Sequence, residues 1–124
     1  MHLYILKNES MPNMYKIGIS ADPVLRAGVL SSSTGVPLPF EVLHTVDCVT
    51  ERQARRAEAM AHAILDYDRI NTGREFFRLS HENIGIQAIV VAAFIAWRPD
   101  RSKEQWQDLT DLLTQWPVVP KDEP

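Results

Sequence analysis

Six polar side chains in the first half of this 124-residue sequence have types and spacings that could do chemistry together: Tyr4, Lys16, Arg26, Arg55, Glu58 and His62. Arg26 lies eight residues after Gly18. Glu58 and His62 are four apart in a stretch that reads as helix, so they share a face, and Arg55 precedes Glu58 by three. Brought to one place, such a set suits phosphodiester cleavage. A carboxylate holds a divalent cation, an arginine offsets the charge of a pentavalent phosphate, and a tyrosine or lysine helps move the proton of an attacking water. Each residue also has a plainer reading. On spacing alone Glu58 with His62 reads as a solvated helix face, Arg55 and Arg56 as ion-pair partners of Glu51 and neighbouring acids, Arg26 as an exposed helix arginine, and Tyr4 as a half-buried strand aromatic.

The elements that must position these residues are legible from pattern. "HLYIL" (2–6) alternates as a strand, "KNESMPN" is a turn, and "MYKIGIS" (14–20) is a second strand, so the two form a hairpin. In the second strand Tyr15, Ile17 and Ile19 share one face and Lys16, Gly18 and Ser20 the other. A lysine beside a glycine on one strand face marks either an unpacked edge or the floor of a site that another backbone approaches closely. Asp22 can cap a short helix that starts at Pro23. "FEVLHTVDC" is a third strand, and Thr50 caps a long helix whose stripe is Ala54, Ala57, Ala61, Ile64 and Leu65. "REFFRLS" returns as a short strand. "ENIGIQAIVVAAFIAWRP" is apolar from Ile84 to Trp97, too short to span a bilayer comfortably, and reads as a buried helix ended by Pro99. Ser102 then caps a helix with Trp106, Leu109, Leu112, Leu113 and Trp116 along one face.

Composition bounds the classes. The length suits one domain, or one with a helical extension. The net charge of −3 excludes a protein coated in basic surface. Up to Arg78 there are nine Lys/Arg and nine Asp/Glu, and beyond it four against seven, so the acidic surplus lies in the C-terminal part. A single cysteine, Cys48, excludes an intramolecular disulfide framework and a multi-cysteine zinc site and fits a reducing compartment. The first residues turn polar too quickly for a signal peptide, so the expected location is cytoplasmic, with no membrane partner.

The order of these features resembles the GIY-YIG nuclease superfamily, and within it the branch named after a phage T5 open reading frame and a yeast meiotically up-regulated gene. "LYIL", "SMPN", "YKIGIS", a following arginine, "TGVPLPFEV", a helix with Glu58 and His62, and "REFF" stand in that branch's order from about Leu3 to Leu79. The resemblance implies that Tyr4 matches the first motif tyrosine, which positions or deprotonates the attacking water. Lys16 replaces the second motif tyrosine, and Gly18 is the motif glycine. Arg26 matches the phosphate-contacting arginine, and Glu58 the single carboxylate for Mg²⁺ or Mn²⁺. His62 and the Asn71, Arg74, Glu75 group are characteristic of the branch. Tyr15, Gly18, Asn71, Arg74 and Glu75 are then expected at the substrate.

The expected fold is α+β: a small mixed, largely antiparallel sheet built on the N-terminal hairpin, flanked by helices. Residues 1–80 form the domain, and residues 81–124 a C-terminal helical pair packed on it or used for self-association. The expected function is a metal-dependent endonuclease acting on DNA, with catalytic Tyr4, Lys16, Arg26, Glu58 and His62. Two other classes are a non-cutting module that binds nucleic acid or a phosphorylated small ligand, and an interaction protein whose Trp106–Trp116 stripe joins two chains as a homodimer.

Overall fold

A computed structural model of the chain describes residues 1–32, 37–70 and 75–97. Asn71, Arg74 and the expected second C-terminal helix lie outside the described residues. Strands β1 (His2–Lys7), β2 (Met14–Ser20), β3 (Glu41–Asp47) and β4 (Phe76–Arg78) form one sheet in the order β3-β1-β2-β4, and every pairing is antiparallel. Three helices complete the fold: α1 (Pro23–Ser31), α2 (Glu51–Ile64) and α3 (Glu82–Trp97). The expected α+β fold on an N-terminal hairpin is the one found.

Local chemistry sets the element ends. In the hairpin turn the buried Asn8 accepts from Ser10 N at 2.9 Å and from Ser10 Oγ at 2.6 Å, while its Nδ2 donates to Leu38 O at 2.7 Å. Asn13 closes the turn in the left-handed region at φ 64°, a conformation that asparagine tolerates better than most residues. Asp22 caps α1 by accepting from Leu25 N at 3.1 Å, and Thr50 caps α2 by accepting from Gln53 N at 3.1 Å. Each cap satisfies an amide that the helix itself leaves free.

Side-chain alternation divides the core between the two sheet faces. Leu3, Ile5, Tyr15, Ile17 and Phe77 point to one face, where α2 and α3 cover them through Ala54, Ala57, Ala61, Ala88, Ile89 and Ala92. The five alanines among them let the two helices pack closely on each other. Gly85 brings α3 down on the sheet: a Cβ there would collide with Ile5 and press on Leu79. Tyr4, Leu6 and Ala27 form a smaller cluster on the opposite face, under α1. No helix among the described residues is long and apolar enough to cross a membrane.

Candidate functional site

Pairing of β1 with β2 sets Tyr4 opposite Gly18 and Leu6 opposite Lys16, all on the α1 face. The glycine is a spatial requirement: a Cβ at position 18 would sit 2.7 Å from Tyr4 Oη, 2.9 Å from its Cζ and 3.2 Å from Glu75 Oε2. The bare backbone at Gly18 is the space into which the Tyr4 hydroxyl and the Glu75 carboxylate fit. The face holding Lys16 and Gly18 is therefore a floor and not an unpacked edge.

β4 pairs with β2 only at Met14, Tyr15 and Lys16. Beyond that point Ile17 N donates to Glu75 O at 3.1 Å, and Ile17 O accepts from His62 Nε2 at 3.0 Å. From Ile17 on, the β2 edge therefore faces α2. One turn before His62, Glu58 reaches past this edge into a cleft shared with the α1 face. Tyr4, Ser20, Arg26, Arg55, Glu58 and Glu75 line the cleft, whose volume is about 300 Å³. Residues from β1, β2, α1, α2 and the approach to β4 thus meet at one place.

The electrostatics are those of two carboxylates among cations. Lys16, largely buried, donates to Glu75 Oε2 at 2.7 Å and stands 5.6 Å from the centre of the Phe76 ring. Arg55 pairs with Glu51 at 3.1 Å, as their spacing suggests. Burial pushes the Glu58 carboxyl above its ordinary value, and the neighbouring Glu75 charge adds to the rise, against the pull of His62, Lys16 and Arg55. Burial also raises the Tyr4 hydroxyl, opposed by a hydrogen bond from Arg26. Tyr4 accordingly keeps its proton near neutral pH.

Six of the residues singled out from sequence, Tyr4, Gly18, Arg26, Arg55, Glu58 and Glu75, are thus brought together, with Lys16 joined to them through Glu75. Two are not. Tyr15 lies on the other sheet face, in the α2/α3 core, where burial and then Glu82 raise its hydroxyl. His62 has both ring nitrogens engaged away from the cleft: Nε2–H donates to Ile17 O, and Nδ1 accepts from Arg69 at 2.9 Å. Its ring packs on Phe77, centroids 5.2 Å apart, and the Arg69 guanidinium stands 5.6 Å from the same ring. Sequence reading missed Arg69, which donates to His62 from seven residues away, both side chains standing against the Phe77 ring of β4.

A family model described as the T5orf172 domain matches residues 1–93, a span that takes in all four strands, α1, α2 and most of α3. No curated protein and no solved structure matches the chain.

Proposed function

The chain belongs to the T5orf172 domain family, and from that membership and the cleft we propose a metal-dependent endonuclease of the GIY-YIG type that hydrolyses phosphodiester bonds of DNA. One observation carries the reading: Tyr4, Arg26 and Glu58, from three separate elements, line one polar cleft over a glycine floor.

The residues present fit a hard divalent cation. Glu58 and Glu75 are near enough for the charge of one to raise the other, and the cleft offers them as oxygen donors. Among the described residues no group of three or more His, Cys, Asp or Glu stands together as a full cage. Mg²⁺ needs none, because one or two carboxylates with water and substrate phosphate complete its shell. Glu58 would hold the ion, with Glu75 the nearest second carboxylate. When bound, Mg²⁺ or Mn²⁺ supplies positive charge at the scissile phosphate and its leaving oxygen.

The chain's own groups do the rest. Arg26 offsets charge on the non-bridging oxygens and, lining the cleft beside Tyr4, opposes the rise of its hydroxyl. Tyr4, protonated at rest, aligns the attacking water. Lys16 is anchored by Glu75, so it holds position at the floor. His62 acts at one remove, by fixing the β2 edge beside which Glu58 enters the cleft.

A second reading, a module that binds nucleic acid without cutting, draws on the same geometry. Lys16 stands where a motif tyrosine would be and is engaged with Glu75, so it is not free to take a proton. Nicking of supercoiled plasmid with Mg²⁺ or Mn²⁺ separates the two. Metal-dependent nicking, abolished by EDTA and reduced about 100-fold or more in Glu58→Ala and Arg26→Ala, supports the nuclease. Folded wild type that binds DNA in EDTA and never cuts moves the assignment to the binding module. Cutting undiminished in Glu58→Ala removes this cleft from the reaction.

A further inference from the structure

α1 packs on the sheet through one narrow side: Pro23 and Ala27 are buried, and Leu30 leans on the Tyr4 cluster. Much of the remaining surface is apolar and faces outward. Val24, Leu25 and Val29 are 73%, 65% and 51% exposed, and a Cβ at Gly28 would meet nothing within 4 Å. At about 100° per residue these four positions form one continuous face. Arg26, the next position around the helix after Val29, stands at the border of that face and lines the polar cleft. The fold itself does not need three aliphatic side chains here, because an outward helix face is ordinarily polar.

We propose that this face of α1 is a wedge that presses into the minor groove of duplex DNA beside the phosphate held by Arg26. The inference rests on the nucleic-acid reading of the cleft. The face is continuous with the cleft through Arg26, so a strand whose phosphate meets that guanidinium lies against Val29 and Leu25 as well. Helix neighbours three and four apart stand about 5–6 Å from each other, close to the roughly 6 Å width of the minor groove. With Arg26 on one phosphate wall, the aliphatic pair therefore stands over the groove. The chemistry selects a duplex over a single strand. Aliphatic wedges enter base steps from the minor groove, whereas single-strand platforms stack bases on aromatic rings, which α1 lacks. Charge agrees: α1 carries no acidic residue, and the Asp22 carboxylate before it is engaged with Leu25 N at 3.1 Å. A nine-residue helix, about 13 Å long and about 10 Å across, is also far too small for the about 800 Å² per partner of a stable protein interface. Because insertion unstacks a base step, cleavage is expected to favour flexible TA and CA steps over stiff A-tracts.

Binding of the full chain to a short duplex of alternating TA steps, in EDTA so that nothing is cut, tests the wedge. Scattered adenines are replaced by 2-aminopurine, whose fluorescence rises when its base is unstacked. Wild-type protein is expected to raise that fluorescence, a measurement that needs no variant. Leu25→Gln/Val29→Gln places a good helix former at two exposed positions. It should bind about tenfold or more weaker, without the fluorescence rise. Its salt slope should stay unchanged, since apolar contacts release no counterions, whereas Arg26→Ala lowers the slope by about 1. A duplex bound by wild type without a fluorescence rise, and equally well by the double variant, overturns the wedge and leaves the reading of the cleft intact. A light-scattering mass that doubles with concentration in the wild type and not in the double variant also overturns it, in favour of a second copy. Absence of any DNA binding by folded wild type removes the nucleic-acid reading of the cleft, and the wedge with it.

Discussion

Glu58 is held in a position that costs stability. Burial and Glu75 raise its carboxyl, so between the unfolded and the raised value the folded chain binds more protons than the unfolded one. Stability contributed at this site therefore falls as pH rises through that window, and the full penalty stands above it. Glu58→Gln is expected to raise the melting temperature at neutral pH while suppressing cleavage, and the thermal gain should vanish below the ordinary carboxylate range. Melting curves of both proteins across pH check the sign. Gly18 makes a complementary case. In Gly18→Ala the new Cβ meets a buried tyrosine ring that has no free end to swing aside, at a cost of about 1–3 kcal/mol. Tyr4→Phe removes the nearer of the two clashing atoms, so urea unfolding of the double variant should show less than the sum of the two single losses.

α2 does two jobs from one face, and only the neighbouring strands separate them. Glu58 passes the β2 edge into the cleft; His62, a turn later, bonds the backbone of that edge, accepts from Arg69 and packs on Phe77. Removing the imidazole leaves Ile17 O and the Arg69 guanidinium short of partners, at about 2–3 kcal/mol. His62→Ala should thus lose stability in chemical denaturation, yet retain most of its cleavage rate when assayed well below its midpoint. A catalytic histidine would show the reverse pattern, lost turnover with unfolding little changed.

With a net charge of −3, the whole molecule has no general attraction for a polyanion. Contact with DNA would then rest on the few cations at the cleft, chiefly Arg26 and Arg55. Binding measured in EDTA against salt should accordingly show a shallow log–log slope, about −2 to −3. A slope near −8 would mean a broad basic surface elsewhere.

How much of this could be read beforehand follows from the range of the interactions. Strand alternation, the Asp22 and Thr50 caps and the Asn8–Asn13 turn involve residues a few positions apart, so the sequence already contains both partners. The same alternation placed Lys16 and Gly18 on one face and Tyr15 on the other, and the folded chain keeps that division. Which groups meet across the fold was another matter. Lys16 and Glu75 are 59 residues apart and His62 and Ile17 are 45 apart; both contacts depend on β4 stopping at Lys16 and leaving the β2 edge to α2. Helical spacing set Glu58 and His62 on one face, but a spacing has no reference to what lies opposite. The sheet edge between them, a product of long-range pairing, sends one side chain into the cleft and the other to the backbone.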